Sequence, residues 1–365
     1  MGIEASFADV AMQVWKRNRA ECPMESYSSV LALHAMARLA KIVKSPELMA
    51  EIRQVLYPFY TGKVENAVGV YGRTVYCCGG NATAFLFHRG ELPEARDILV
   101  RQAEKLIREQ SRDKNGLFDM PSGNRRNHSR GFIWIDTVFG VCPFLLWTGL
   151  AAGRPDFVEE AVRQMTGHHE ILFNPENRLY HQAFNAQEPD ALTPAHWGRG
   201  HGWGVLALAE LCYDLPPEHP AAPKLLAMYR DAMEGALAVQ DGDGMWHQVL
   251  DDHTSYAESS CTGLILYAMG RGIKNGRLDE AHYRDSYLKG LRALSRCVAF
   301  DGSVFNCCVG CLAIGENSTA EEYKAHPWKL NDCHAFGPVE IAYGVAESLA
   351  RSGRIPDYKT LVYGE

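Results

Sequence analysis

Residues 196–203 read HWGRGHGW, which places two His, two Trp, one Arg and three Gly directly ahead of the apolar run VLALAELC. A Trp face stacks on the C–H side of a sugar ring. An Arg fork binds a carboxylate through two parallel hydrogen bonds. A helix opening just after Arg199 adds favourable potential for an anion. Trp197, Arg199 and Trp203 together therefore describe a site for an acidic sugar. The alternative is that the Trp residues pack a structural rim and Arg199 lies on the surface.

Asp136 is the only acid in the apolar window FIWIDTVF, between Trp134 and Phe139. Desolvation there would let a carboxyl keep its proton near neutrality, as a general acid must. An Asp directly before an apolar helix is equally an N-cap, held ionised by amide donors. His181, in RLYHQAF, could orient a substrate, tune Asp136, or serve as a structural polar partner. Glu258 and Asp332 also precede helical segments, where capping is the more ordinary role for an acid. The run NCCVGC brings Cys307, Cys308 and Cys311 together, and Cys333 or His334 could complete a zinc set. No second CxxC or HxxxH matches it, which favours incidental buried thiols.

These residues need elements to hold them. Four stretches resemble one another: NGLFDM (115–120), NRLYHQ (177–182), DGMWHQ (243–248) and DGSVFN (301–306). Each passes from turn formers to an aromatic (Phe118, Tyr180, Trp246, Phe305), at intervals of 62, 66 and 59 residues. A recurrent interval of this size marks one copied supersecondary unit. Between the stretches, apolar residues follow helical spacing over 25–43, 93–110, 136–151, 154–173, 202–213, 222–239, 256–272, 279–297 and 336–352. A further helix is expected from Asn81. Six such helical hairpins account for the length, and six hairpins can close into a ring. The most apolar segments, DTVFGVCPFLLWTGLAA, GWGVLALAELC and SSCTGLILYAMG, belong inside it, with amphipathic segments outside. The expected architecture is thus all-α, a six-hairpin (α/α)6 barrel over residues 1–365 as one domain. The segments entering the inner helices, and with them the residues above, converge at one mouth.

The bulk numbers are those of an ordinary globular protein. The 365 residues are 47% hydrophobic and 22% charged, with a net charge of −7. No Lys/Arg block could follow a phosphate backbone, so nucleic acid is not an expected partner. No apolar stretch approaches the ~20 residues needed to span a bilayer. Eleven Cys, several inside apolar runs (Cys142, Cys212, Cys261), suit a reducing compartment, and the N-terminus carries no secretion pattern. A cytoplasmic protein is expected.

FIWIDTVFGVCPFL, RLYHQAF, HWGRGHGWGVLAL, MWHQVLDD, YAESSCTGLILYAMGRGI and KLNDCHAFGP resemble, in that order, the motifs of the unsaturated rhamnogalacturonyl hydrolases, relatives of the unsaturated glucuronyl hydrolases. The likeness runs from about residue 80 to 350 and is strongest in HWGRGHGW and YAESS…YAMGRGI. The resemblance implies a six-hairpin barrel that removes a 4,5-unsaturated uronic acid from the non-reducing end of lyase-generated oligosaccharides, with no metal or organic cofactor. It further implies hydration of the vinyl ether: an acid protonates C4, water adds at C5, and the hemiketal opens to expel the aglycone. By position, Asp136 would be proton donor and then base, with His181 beside it. Arg199 and Trp203 would hold the uronate, and Trp134 and Trp197 would supply aromatic walls, with Asn81 and His201 as further binding residues. Where relatives commonly carry an Asp ahead of the Asn that opens an inner helix, this chain has Cys78 and Gly79, with Asn81 retained. Two rival readings follow from the residues. One is a two-carboxylate glycosidase pairing Asp136 with Glu258 or Asp332; the other is a non-catalytic acidic-sugar-binding protein.

Overall fold

Each of the four repeated stretches is a turn with one backbone requirement. The computed structural model describes residues 5–26, 28–63, 80–119, 132–185, 192–312 and 318–364. In it, the second residue of each repeat takes a positive φ: Gly116 (77°), Arg178 (60°), Gly244 (102°) and Gly302 (81°). Glycine adopts this region without a Cβ penalty, which explains three of the four identities. A side-chain oxygen just ahead clamps each turn: Asp113 accepts from the Asn115 and Leu117 amides, Asn177 from Leu179, Asp241 from Asp243, Gly244 and Met245, and Asp301 from Ser303. Two residues after the positive φ the chain buries an apolar side chain completely: Phe118, Tyr180, Trp246 and Val304. The fourth repeat therefore corrects the sequence reading by one place, since Phe305 is 37% exposed. The turn residue sets the register, and the aromatic does not.

Every such turn leads from an outer helix to an inner one. In chain order the helices are α1 (Phe7–Glu21), α2 (Ser29–Val43), α3 (Pro46–Tyr60), α4 (Asn81–His88), α5 (Arg96–Glu109), α6 (Asp136–Ala152), α7 (Pro155–Leu172), α8 (Gly198–Asp214), α9 (Ala222–Ala238), α10 (Ser259–Lys274), α11 (Glu280–Ser295), α12 (Ala320–Lys324), α13 (Cys333–Arg351) and α14 (Tyr358–Tyr363). Helix α2 packs on α4, α4 on α6, α6 on α8, α8 on α10, α10 on α13, and α13 again on α2, so six inner helices close a ring. Around it α1 lies on α13, α3 on α2, α5 and α7 on α6, α9 on α8, and α11 on α10. Burial follows the layers. Every residue of α6 from Thr137 to Gly149 is buried, whereas α5 buries only the stripe Ile98, Leu99, Gln102, Ala103 and Leu106. The three segments expected inside the ring are indeed α6, α8 and α10.

Short antiparallel ribbons complete the mouth: β1 (Phe132–Trp134) with β4 (Ala183–Asn185), β2 (Phe173–Asn174) with β3 (Leu179–Tyr180), and β5 (Cys307–Cys308) with β6 (Trp328–Lys329). Helices α1 and α3 had no assignment from periodicity. Their start signals are nevertheless present: a Ser6/Asp9 capping box before α1, and Ser45 with Pro46 at the head of α3. No helix among the described residues is long and apolar enough to cross a membrane.

The cysteine expectation changes at one pair. Cys22, after α1, is disulfide-bonded to Cys333, the first residue of α13, across 311 residues of chain. The bond joins the first outer helix to the last inner one, where the ring closes. Cys333 is consequently not a candidate zinc ligand. Cys142, Cys212, Cys261, Cys297, Cys307 and Cys308 are buried free thiols, and Cys311 is half-buried. Because a bridge across so long a loop limits the unfolded chain, Cys22→Ser is expected to lower unfolding free energy by ~2–4 kcal/mol in urea melts under oxidising conditions. The same melts with reductant should erase the difference between variant and wild type.

Candidate active site

The glycines of HWGRGHGW explain the rest of that stretch. The sequence reading began the helix at 202; in the structure α8 begins at Gly198, so Arg199, His201 and Trp203 stand on its first turns. Glycine's poor helix propensity concealed this, but here contact overrides propensity. A Cβ on Gly198 would lie 2.6 Å from the His247 carbonyl oxygen and 2.9 Å from Cys261. On Gly202 it would lie 2.7 Å from Leu264, on Gly204 2.7 Å from the Tyr180 ring, and on Gly200 2.2 Å from Gln182 Oε1. Gly198 and Gly202 thus let α8 close on α10, while Gly200 and Gly204 admit Gln182 and Tyr180.

Gln182 is the residue that sequence reasoning missed. Its Nε2 donates to Asp136 Oδ2 at 2.6 Å. Asp136 is the first residue of α6, with Ile135 in the cap position, so it is not the N-cap that one reading supposed. The signal for Gln182 was available in the repeat, since His-Gln follows the buried aromatic in both NRLYHQ and DGMWHQ. In both copies the His donates Nδ1–H to a later carbonyl, His181 to Thr193 and His247 to Ser255. Burial, and then the neighbouring His196, lower the His181 pKa, which keeps the ring neutral with Nε2 as its acceptor. Gly200→Ala tests the linkage. The far end of Gln182 can rotate away, so folding should lose under ~1.5 kcal/mol. Freed from its donor, Asp136 should lose aim, and kcat should fall about tenfold in steady-state assays.

Arg199, on the first turn of α8, is 2% exposed. Its Nη1 donates to Ser260 Oγ at 3.0 Å and to the Cys308 carbonyl at 2.7 Å, and contacts Cys307 Sγ at 3.6 Å. The guanidinium also lies over Trp197, 4.6 Å from its ring centre. Burial opposes its charge, while the nearby carboxylates of Glu258 and Asp332 favour it. Arg199 is therefore a buried tie between α8, α10 and β5, and not a surface residue.

The two other acids are spent on helix heads. Glu258, 1% exposed, is the N-cap of α10 and accepts from the Ser260, Cys261 and Cys308 amides and from Ser260 Oγ. Asp332 caps α13 and accepts from the His334 amide and from His334 Nδ1. Burial would raise the Asp332 pKa, but hydrogen bonding and charge from His334, with Arg199 behind, bring it below the usual range. His334 is itself held low, first by burial and then by Arg199, while Asp332 and Asp136 pull the other way. Asp136 also adds to the rise in the buried Tyr323 hydroxyl, behind burial, Cys311 and Cys308. The heads of α6 and α13 thus face one another electrostatically, and Tyr323 and His334 join the site.

The aromatic residues back this mouth. Trp134 is fully buried against Ala183, and Trp197, 2% exposed, stacks on Tyr323 with ring centres 6.1 Å apart. Trp203, 6% exposed, stacks on Phe139 at 4.2 Å, and Asn81 Nδ2 donates to the Phe139 carbonyl at 2.9 Å. Asn81, Phe139 and Trp203 therefore link α4, α6 and α8. His201 is not brought into this group. It is buried, accepts from the Tyr180 amide, and burial then His196 lower its pKa to about 3. Cys78 and Gly79 lie outside the described residues. Among the described residues, no group of three or more His, Cys, Asp or Glu could hold a metal ion.

A ring of six inner and six outer helices, with an acid at the head of one inner helix and a buried Arg on the first turn of the next, defines an (α/α)6-barrel glycosidase scaffold. The sequence pattern described as Glycosyl Hydrolase Family 88 matches residues 7–348, and the chain belongs to that family. It is similar to an unsaturated rhamnogalacturonyl hydrolase of Bacillus subtilis, 32% identical over 196 residues, 54% of each chain. It is also similar to an unsaturated 3S-rhamnoglycuronyl hydrolase of an Alteromonas species, 28% identical over 51% of this chain and 47% of that one. The matched region thus spans about half the length of these relatives. Among solved structures, a family 105 glycoside hydrolase of C. acetobutylicum superposes with a TM-score of 0.79 at 21% identity, covering 93% of this chain and 99% of the other. An unsaturated glucuronyl hydrolase of Bacillus sp. GL1 superposes at 0.67 and 16% identity, covering 97% and 98%. At these identities the superpositions establish the six-hairpin barrel.

Proposed function

We propose that the chain, acting as one catalytic domain, releases a 4,5-unsaturated uronic acid from the non-reducing end of lyase-generated oligosaccharides by hydrating the double bond. The observation that carries this reading is Asp136, placed at the head of an inner helix without capping it and held by Gln182. Asp136 protonates C4, and its carboxylate then takes a proton from the water that adds at C5. The hemiketal so formed opens and expels the aglycone. Arg199 supplies the fixed positive charge toward which a uronate is drawn, with Trp203 beside it. Trp134, Trp197 and Asn81 hold the wall from behind, His181 offers a neutral acceptor, and His201 keeps the repeat turn at Tyr180 seated. The test is a screen of lyase-generated oligosaccharides followed by loss of the alkene's ultraviolet absorption. Turnover of saturated glycosides with none of unsaturated ones would sink the reading.

We propose separately that the protein is cytoplasmic, on the buried free thiols, with the Cys22–Cys333 bond forming only on oxidation. Recovery of the Cys22–Cys333 bond from cells lysed into alkylating reagent would count against it.

A further inference from the structure

The opposite end of the barrel, where the inner helices finish, holds a cavity of about 280 Å³. Five cations line it, Arg38 and Lys41 of α2, Arg89 after α4, and Arg271 and Lys274 of α10, and no carboxylate is among its lining residues. The acids that neutralise these groups stand behind the wall: Glu210 receives Arg38 and Arg271, Asp214 receives Arg89, and Glu91 receives Lys41. Four of the five positive side chains thus share three carboxylates, none of which lines the cavity, and Lys274 donates to Ser348 Oγ instead.

Capping of helix ends does not account for the excess. The end of α10 is already capped by Arg354, which donates to the Ile273 and Lys274 carbonyls. Donors of the five lining cations go instead to His34, Glu210, Glu91, Asp214 and Ser348. Arg271 is 6% exposed, and its Nε is buried without a hydrogen-bond partner among the described residues. Its guanidinium is pinned from behind by Glu210 and stacked 3.9 Å from the Tyr213 ring centre, so it is preorganised. Lys274 is held below the usual ammonium range by burial and then by the charges of Arg271 and Arg38, as expected where like charges gather.

We propose that this cavity is a second binding site, separate from the catalytic mouth, for a small dianionic oxyanion of the phosphate or sulfate type. Guanidinium and ammonium donors from three helices converge on a volume at the small end for a ligand pocket, which favours a compact anion over an oligosaccharide.

Calorimetric titration of the intact protein with inorganic phosphate, at constant ionic strength, tests this. Saturable binding to one site is expected with Kd about 1 mM or tighter. The double variant Lys41→Gln/Lys274→Gln, which leaves the pairs to Glu210 and Asp214 in place, should weaken it about tenfold or more. Sulfate should compete, and chloride at matched ionic strength should not. Asp136→Asn should bind phosphate as wild type does. The proposal is overturned by absence of saturable heat, by unchanged affinity in the double variant, or by tighter binding in Asp136→Asn, since removing a negative charge strengthens an anion held at the catalytic mouth.

Discussion

Asp136→Asn is expected to lower kcat on an unsaturated oligosaccharide by ~10³, about 4 kcal/mol of barrier, while leaving KM within about threefold. The amide keeps the shape of the carboxyl and can still meet Gln182 after that side chain flips, so the fold should be unaffected. What it loses is the proton for C4 and the base for water. Loss of alkene absorption under single-turnover conditions measures the step directly. Residual activity within about tenfold of wild type would remove Asp136 from the chemistry. A wild-type protein that binds unsaturated uronides without turning them over would instead support the binding-only reading.

Glu258→Ala should act in the opposite manner, on stability before rate. Its carboxylate receives three backbone amides and a hydroxyl, and one of those amides belongs to Cys308, whose carbonyl in turn receives Arg199. Removing it strands buried donors and leaves Arg199 short of a compensating charge, at a cost of about 3–5 kcal/mol in urea unfolding. The fraction that remains folded should retain kcat within about tenfold, because the group touches helix ends and no reacting atom. A two-carboxylate glycosidase using Glu258 demands the reverse: a ~10³ loss of kcat with little change in stability. The two measurements on one variant therefore separate cap from catalyst.

Much of the architecture could be read in one dimension. Apolar residues all round a segment mean a helix covered on every side, and this alone marked α6, α8 and α10 as inner. Turn formers followed by a buried aromatic, returning every sixty residues or so, announced a copied hairpin. The residue types of the mouth, Asp136, Arg199 and the Trp cluster, were equally visible, because desolvation, charge and ring faces are properties of side chains and their immediate neighbours. Three things were not. The glycines of 198–204 looked like a loop, since their purpose is contact with Cys261, Leu264, Gln182 and Tyr180, remote in the chain. Glu258 could not be sorted between cap and catalyst, nor Arg199 between surface residue and buried tie, until Ser260 and Cys308 were found between them. Cys333, a zinc candidate by proximity to other Cys in sequence, is bonded to Cys22 instead. Local pattern reports what a segment prefers and which face it must hide. Which distant partner it meets depends on ring closure, and no spacing along the chain encodes that distance.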